Sequence, residues 1–106
     1  MTVDIEFSPK KASKKGNTLF IKGELTVANA GHIKESMMQG LKEYSLIHLK
    51  IDQVNRIDLS VLQLIYAFQQ AARSGGKEVQ LDINLPEELS LLVHQSGLGK
   101  IIDQAV

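Results

Sequence analysis

Cysteine and tryptophan are absent from the 106 residues, and proline occurs only twice. Without cysteine there is no disulfide framework and no thiolate metal centre, and the chain suits a reducing compartment. An excess of charge of one sign is also missing. The 12 lysines and arginines stand against 12 aspartates and glutamates, so no global field draws in a nucleic-acid backbone or an acidic membrane. No apolar run approaches the roughly 20 residues of a spanning helix, and Met1 to Phe7 alternates polar with apolar residues, unlike a signal peptide. These absences point to the cytoplasm and to another protein as the partner.

What is present suffices for one domain over residues 1–106: 43% apolar residues to offset the entropy of ordering and 23% charged residues for solubility. Four stretches alternate apolar with polar side chains, the period of a strand buried on one side. Their inward sets are Val3, Ile5 and Phe7, then Leu19 and Ile21, then Ile47, Leu49 and Ile51, and finally Val79, Leu81 and Ile83; Phe20 points outward. Strands covered on both faces read as continuous apolar runs, so this alternation places helices on one side only.

Three segments carry helical period. The first starts near Asn29, with Thr26 or Asn29 as cap and Ala30, Ile33, Met37, Leu41 and Tyr44 along one stripe, weakened locally by Gly40. In the second, Val61, Leu64, Ile65, Phe68 and Ala72 follow the i, i+3, i+4, i+7 rule up to Gly75-Gly76. In the third, Asn84 and Glu87 form a capping box, Pro86 sits in the first turn, and Gly97 stops the helix so that Leu98 folds back on Leu92 or Val93. Ile101 and Ile102 are expected to pack as a last half-turn. The fold class is α/β: a four-stranded, mostly parallel mixed sheet with helices packed on one face. The first two strands form a hairpin across Ser8 to Asn17, whose Lys10, Lys11, Lys14 and Lys15 read as a solvated connector.

The chain carries little that resembles catalytic equipment. His32, His48 and His94 lie in separate elements with no i, i+4 pair, so no metal site is expected. Gly75-Gly76 ends a helix rather than opening one, the reverse of a phosphate-cradling loop. A hydrolase reading would join Ser60, His94 and Asp58, but the turn lacks G-x-S-x-G. No cofactor and no enzymatic activity are expected.

The segment Arg56-Ile57-Asp58-Leu59-Ser60-Val61 leads from the third strand into the second helix and places Ser60 at the helix start. Unpaired amides and the positive dipole end there favour an added phosphate, which with Asp58 beside it would make the corner strongly anionic. The plainer role for a serine at such a place is to cap the helix. Beyond Asp58, Leu59 and Ser60, the residues Leu62, Gln63, Tyr66, Gln69 and Arg73 fall away from the stripe assigned to the core. They are expected to form an exposed docking face.

In Gly23-Glu24-Leu25, in Ile51-Asp52 through Ile57-Asp58, in Asp58-Leu59-Ser60, in Gly75-Gly76-Lys77-Glu78-Val79-Gln80-Leu81 and in Ser96-Gly97-Leu98, the chain resembles the STAS family. This domain is shared by sulfate transporters and bacterial anti-sigma-factor antagonists. The resemblance spans nearly the whole chain, and with no spanning run the stand-alone form is expected rather than the tail of an anion transporter. It also implies partner switching: the chain binds an anti-sigma factor that is a serine kinase, and phosphorylation at Ser60 turns it off. Leu59 stands where the family's first serine is usual, and Val61 where glycine is common. The same fold serves as a non-enzymatic subunit of lipid-transport ATPase complexes and as a scaffold in chemotaxis or two-component pathways, and both readings stay open.

Overall fold

A computed structural model describes residues 3–8 and 16–100. The elements run β1 (Val3–Phe7), β2 (Gly16–Leu25), a short 3-10 turn (Val27–Asn29), α1 (Ala30–Glu43), β3 (Leu46–Ile57), α2 (Leu59–Ser74), β4 (Glu78–Ile83) and α3 (Glu87–Gln95). The sheet order is β1-β2-β3-β4, with β1 antiparallel to β2 and the other two pairs parallel. The mixed sheet inferred from the alternation is therefore the fold. The lysines at 10, 11, 14 and 15, and Ile101 and Ile102, lie outside the described residues.

Period-two alternation does what it should. Phe7, Leu19, Leu49 and Leu81 stand in one cross-strand row, and Ile5, Ile21, Ile51 and Ile83 in the next. Leu19, Ile21, Ile47, Leu49 and Ile51 are fully buried against the helices with Ile33, Met37 and Ile65. The opposite face carries Glu6, Phe20, Lys50 and Asp82 in one row and Asp4, Lys22 and Asp52 in another. Opposite charges are neighbours in both rows, an arrangement that favours this register.

Two strands are longer than the alternation implies. β3 continues through Asp52-Gln53-Val54-Asn55-Arg56, whose polarity reads as a loop, because its pairing with β2 skips residues: Lys22 faces Asp52, Gly23 faces Val54 and Glu24 faces Arg56. The extra residue, Gln53, has φ of 50°, a left-handed conformation that an L side chain adopts at a cost of about 1 kcal/mol. Its amide donates to Asp52 Oδ1 at 2.7 Å. β4 pairs with β3 only as far as Ile51, so the end of β3 projects past it.

The helices correct the sequence reading in three places. The buried face of α2 is Val61, Leu62, Ile65, Gln69 and Ala72, whereas Leu64 and Phe68 are only half-buried. The helix is thus rotated about its axis from the orientation its period suggests. Neither Thr26 nor Asn29 caps with its side chain; Asn29 Nδ2 donates to Glu24 O at 2.9 Å instead. Asn84 does not cap α3 either. Its amide reaches Asp52 Oδ1 at 3.2 Å, and Pro86 occupies the cap position. The C-terminal ends agree with the glycine signals. Gly76 (φ 79°) and Gly97 (φ 88°) take left-handed conformations, and the Lys77 and Leu98 amides return to Ala72 O at 2.9 Å and Val93 O at 3.2 Å.

Gln69, expected at the surface, is buried with a structural task. The Glu78 and Asn84 amides donate to Ser45 O and Ile51 O on β3, so odd-numbered peptide groups of β4 face outward. Gln69 Nε2 donates to one of these, Val79 O, at 2.9 Å.

Candidate functional site

Beyond the C-terminal ends of β2 and β3, where Leu25 faces Ile57, the chain turns twice: into the 3-10 turn after β2 and into α2 after β3. Ends of parallel strands are where loops of an α/β sheet gather into binding sites. The two turns are tied together through Asp58. Its amide donates to Leu25 O at 2.8 Å, and its Oδ2 accepts the Val27 amide at 2.8 Å.

Asp58 is the N-cap of α2 by position, in extended conformation (φ −101°, ψ 133°), yet its side chain does not cap. Its backbone carbonyl accepts from Val61 N at 3.0 Å and Leu62 N at 3.4 Å and so starts the helix. The carboxylate meanwhile is committed to the Val27 amide, across the turn from the first residues of α2. This local design leaves the first-turn amides of Leu59 and Ser60 ahead of any intrahelical acceptor.

Ser60 is the second residue of α2, two places past the cap position held by Asp58, and its side chain is exposed. A phosphoryl group there would carry about −1.5 to −2 charges over the amide-rich helix end. Leu59 is half-buried and Gln63 exposed. Val27, which no sequence signal singled out, is 63% exposed and is fixed to this corner by Asp58. The hint was a lone branched aliphatic residue in the small and polar run Thr26-Val27-Ala28-Asn29.

The expected docking face breaks up along α2. Leu62 is 1% exposed and Gln69 7%, so neither lies on a surface. Tyr66 is half-buried and Arg73 exposed, but Arg73 stands 13 residues from Ser60, about 20 Å along the helix axis. The residues gathered at the corner are Asp58, Leu59, Ser60 and Gln63, with Val27 added. The triad imagined for hydrolysis does not take shape around Asp58, whose Oδ2 accepts the Val27 amide, while His94 Nδ1 lies 2.8 Å from Ser90 O on α3. Among the described residues no group of three or more His, Cys, Asp or Glu could hold a metal ion, and no helix is long and apolar enough to cross a membrane.

A family model described as "Mlab, STAS domain" matches residues 10–103. Among solved structures, the chain is similar to the anti-sigma factor antagonist SpoIIAA in its unphosphorylated form, with 16% identity and a TM-score of 0.63 over 92% of this chain and 84% of that one. It is also similar to the Bacillus cell fate determinant SpoIIAA in the phosphorylated form, with 14% identity and a TM-score of 0.63 over 92% and 86% of the two chains. At these identities the likeness establishes the fold. No curated protein sequence matches significantly.

Proposed function

Because the chain belongs to the STAS family, we propose that it is a regulatory protein-binding module of the anti-sigma-factor-antagonist type, switched by phosphorylation of Ser60 in a bacterial cytoplasm. The unmodified corner binds an anti-sigma factor that is also a serine kinase, and the sigma factor is released to transcription. The Ser60 hydroxyl then attacks the γ-phosphorus of ATP held by that kinase. Its proton is lost, ADP leaves, and the phosphorylated corner no longer fits the partner.

One observation carries this reading: Ser60 is exposed in the first turn of α2, on a corner that Asp58 locks to Val27. A dianion placed there is favoured by the helix end, so the switch costs the fold little. A docked partner that buries Val27 and Leu59 must desolvate the same dianion, which lowers affinity steeply. The test titrates the anti-sigma kinase of the same cell with Ser60→Ala and Ser60→Asp chains. An affinity at least about tenfold weaker for Ser60→Asp supports the switch; equal affinities remove it. Incubation with kinase and ATP must place the phosphate on Ser60 in peptide maps, and a phosphate elsewhere, or none, removes the site.

Leu59 and Val61 support a second reading, because they replace the serine and glycine usual in the family. On that reading the chain is a permanently docked, non-enzymatic subunit of a lipid-transport ATPase or a chemotaxis scaffold. Stable co-purification with an ATPase and a Ser60 free of phosphate would favour it.

A further inference from the structure

Along the flank of α2 that faces α1 runs an apolar groove of about 570 Å³. Met37 and Ala72 form its buried floor, with Met38 and Leu41 on the α1 wall and Leu64 and Phe68 on the α2 wall. Met38 is 49% exposed. The groove exists because α2 is apolar over a wider arc than the sheet covers: at about 100° per residue, Leu64 and Phe68 fall on the α1 side of the buried face. Ser60 does not line it.

Its rim is one-signed. Among the described residues, Lys34, Lys42 and Lys77 border the groove and no acidic residue does, although the chain as a whole carries no net charge. Lys34 and Lys42 are exposed, whereas the Lys77 ammonium donates to Leu41 O. Glu35 and Glu43 lie beside a separate depression with Met38, Gln39 and Lys42.

We infer that this groove is a second docking surface, which takes an amphipathic helix of a partner protein with an apolar stripe and acidic flanks. Its walls run from Lys34 to Lys42 on α1 and from Leu64 to Ala72 on α2, each about 12 Å along the helix axis, so two to three turns of a third helix match the trough. Helices pack at axial separations of 8–10 Å by seating ridges in such grooves, and methionine at the contact adapts to the incoming side chains. The lysines then meet acidic residues on the helix flanks and reject basic ones. A single acyl chain would leave much of its surface in water in a trough whose lip is exposed, so a helix, which fills the width, is the better complement. Ser60 is outside the lining, so the inference does not rest on its modification.

The test uses two helical peptides of about sixteen residues that share a leucine stripe and differ only in glutamate or lysine on the flanks. Each is titrated at low salt into the methyl-labelled chain. The glutamate peptide should bind at least about tenfold tighter than the lysine peptide, shifting the methyl signals of Met37, Met38 and Leu64. The double variant Lys34→Glu, Lys42→Glu changes only exposed positions and should reverse the preference. Equal affinity for the two peptides, no groove shifts up to millimolar peptide, or shifts confined to the Ser60 corner would overturn the inference. Groove shifts on concentrating the chain alone would assign the surface to a second copy. Displacement of the glutamate peptide by phosphatidylglycerol vesicles would assign it to lipid. Either outcome overturns the partner helix.

Discussion

A methyl group built on Gly40 would lie 2.8 Å from Cζ of Phe7, so α1 and β1 meet where only a hydrogen fits. The same methyl would come within 2.7 Å of Ile47 Cδ1. Gly40 weakens the helix by propensity, yet it lets α1 lie directly against Phe7 and Ile47 of the sheet. Gly31, in the same helix, has nothing within 4 Å of its hypothetical Cβ.

The two glycines should therefore respond in opposite directions to alanine. Gly31→Ala should raise stability by up to about 1 kcal/mol through helix propensity. Gly40→Ala gains the same term but overpacks Phe7 and Ile47, for a net loss of about 1–2 kcal/mol. Urea midpoints of the two variants decide it.

The rotation of α2 is open to an equally direct test. Leu62, fully buried, should cost about 2–4 kcal/mol when cut to alanine, while half-buried Leu64 should cost less than about 1.5 kcal/mol. An orientation with Leu64 inside and Leu62 outside demands the reverse order in denaturation experiments.

Asp58→Ala removes the carboxylate that holds the Val27 amide. A hydrogen bond to a charged group at this partly exposed place contributes about 1 kcal/mol. Hydrogen exchange at Val27 should accelerate while amides in the middle of β3 keep their protection, and unchanged exchange at Val27 would show that the tether does not hold the corner.

Ser60→Asp should leave stability unchanged or raise it by up to about 0.5 kcal/mol, the dipole's attraction being offset in part by Asp58 two residues away. Any gain should shrink in high salt. A loss above about 1 kcal/mol would mean that the corner cannot carry negative charge, and phosphorylation there would then unfold α2 rather than switch a surface.

The sheet was legible because strand period is two and one face is polar: a slip of one residue would have put Leu49 and Ile51 in water. The facing of α2 was not, because Val61, Leu62, Leu64, Ile65 and Phe68 are all apolar and several arcs satisfy the helical rule equally well. The arc that meets the sheet is the one that brings Gln69 to Val79 O on β4, a pairing that sequence spacing does not announce. The capping box at Asn84 misled for a similar reason. A competing acceptor, Asp52, stands on the neighbouring strand 32 residues away, and sequence spacing carries no sign of it. The far end of β3 escaped because the pairing skips Gln53 and breaks the alternation at that point. The start of α2 near Ser60 was legible because a helix start is a local signal, whereas Val27 joins that corner only through a bond spanning 31 residues.

The bond from Gln69 to the Val79 carbonyl has a bearing on how such molecules behave when crowded. An outermost strand normally offers a row of hooks on which a neighbour's backbone can zip. Here one hook of β4 is already taken by the helix above it, so a foreign ribbon would meet an interrupted row and gain little by adding itself. At that point the margin of β4 is less open to stacking, and association there falls to side chains, which choose their partners.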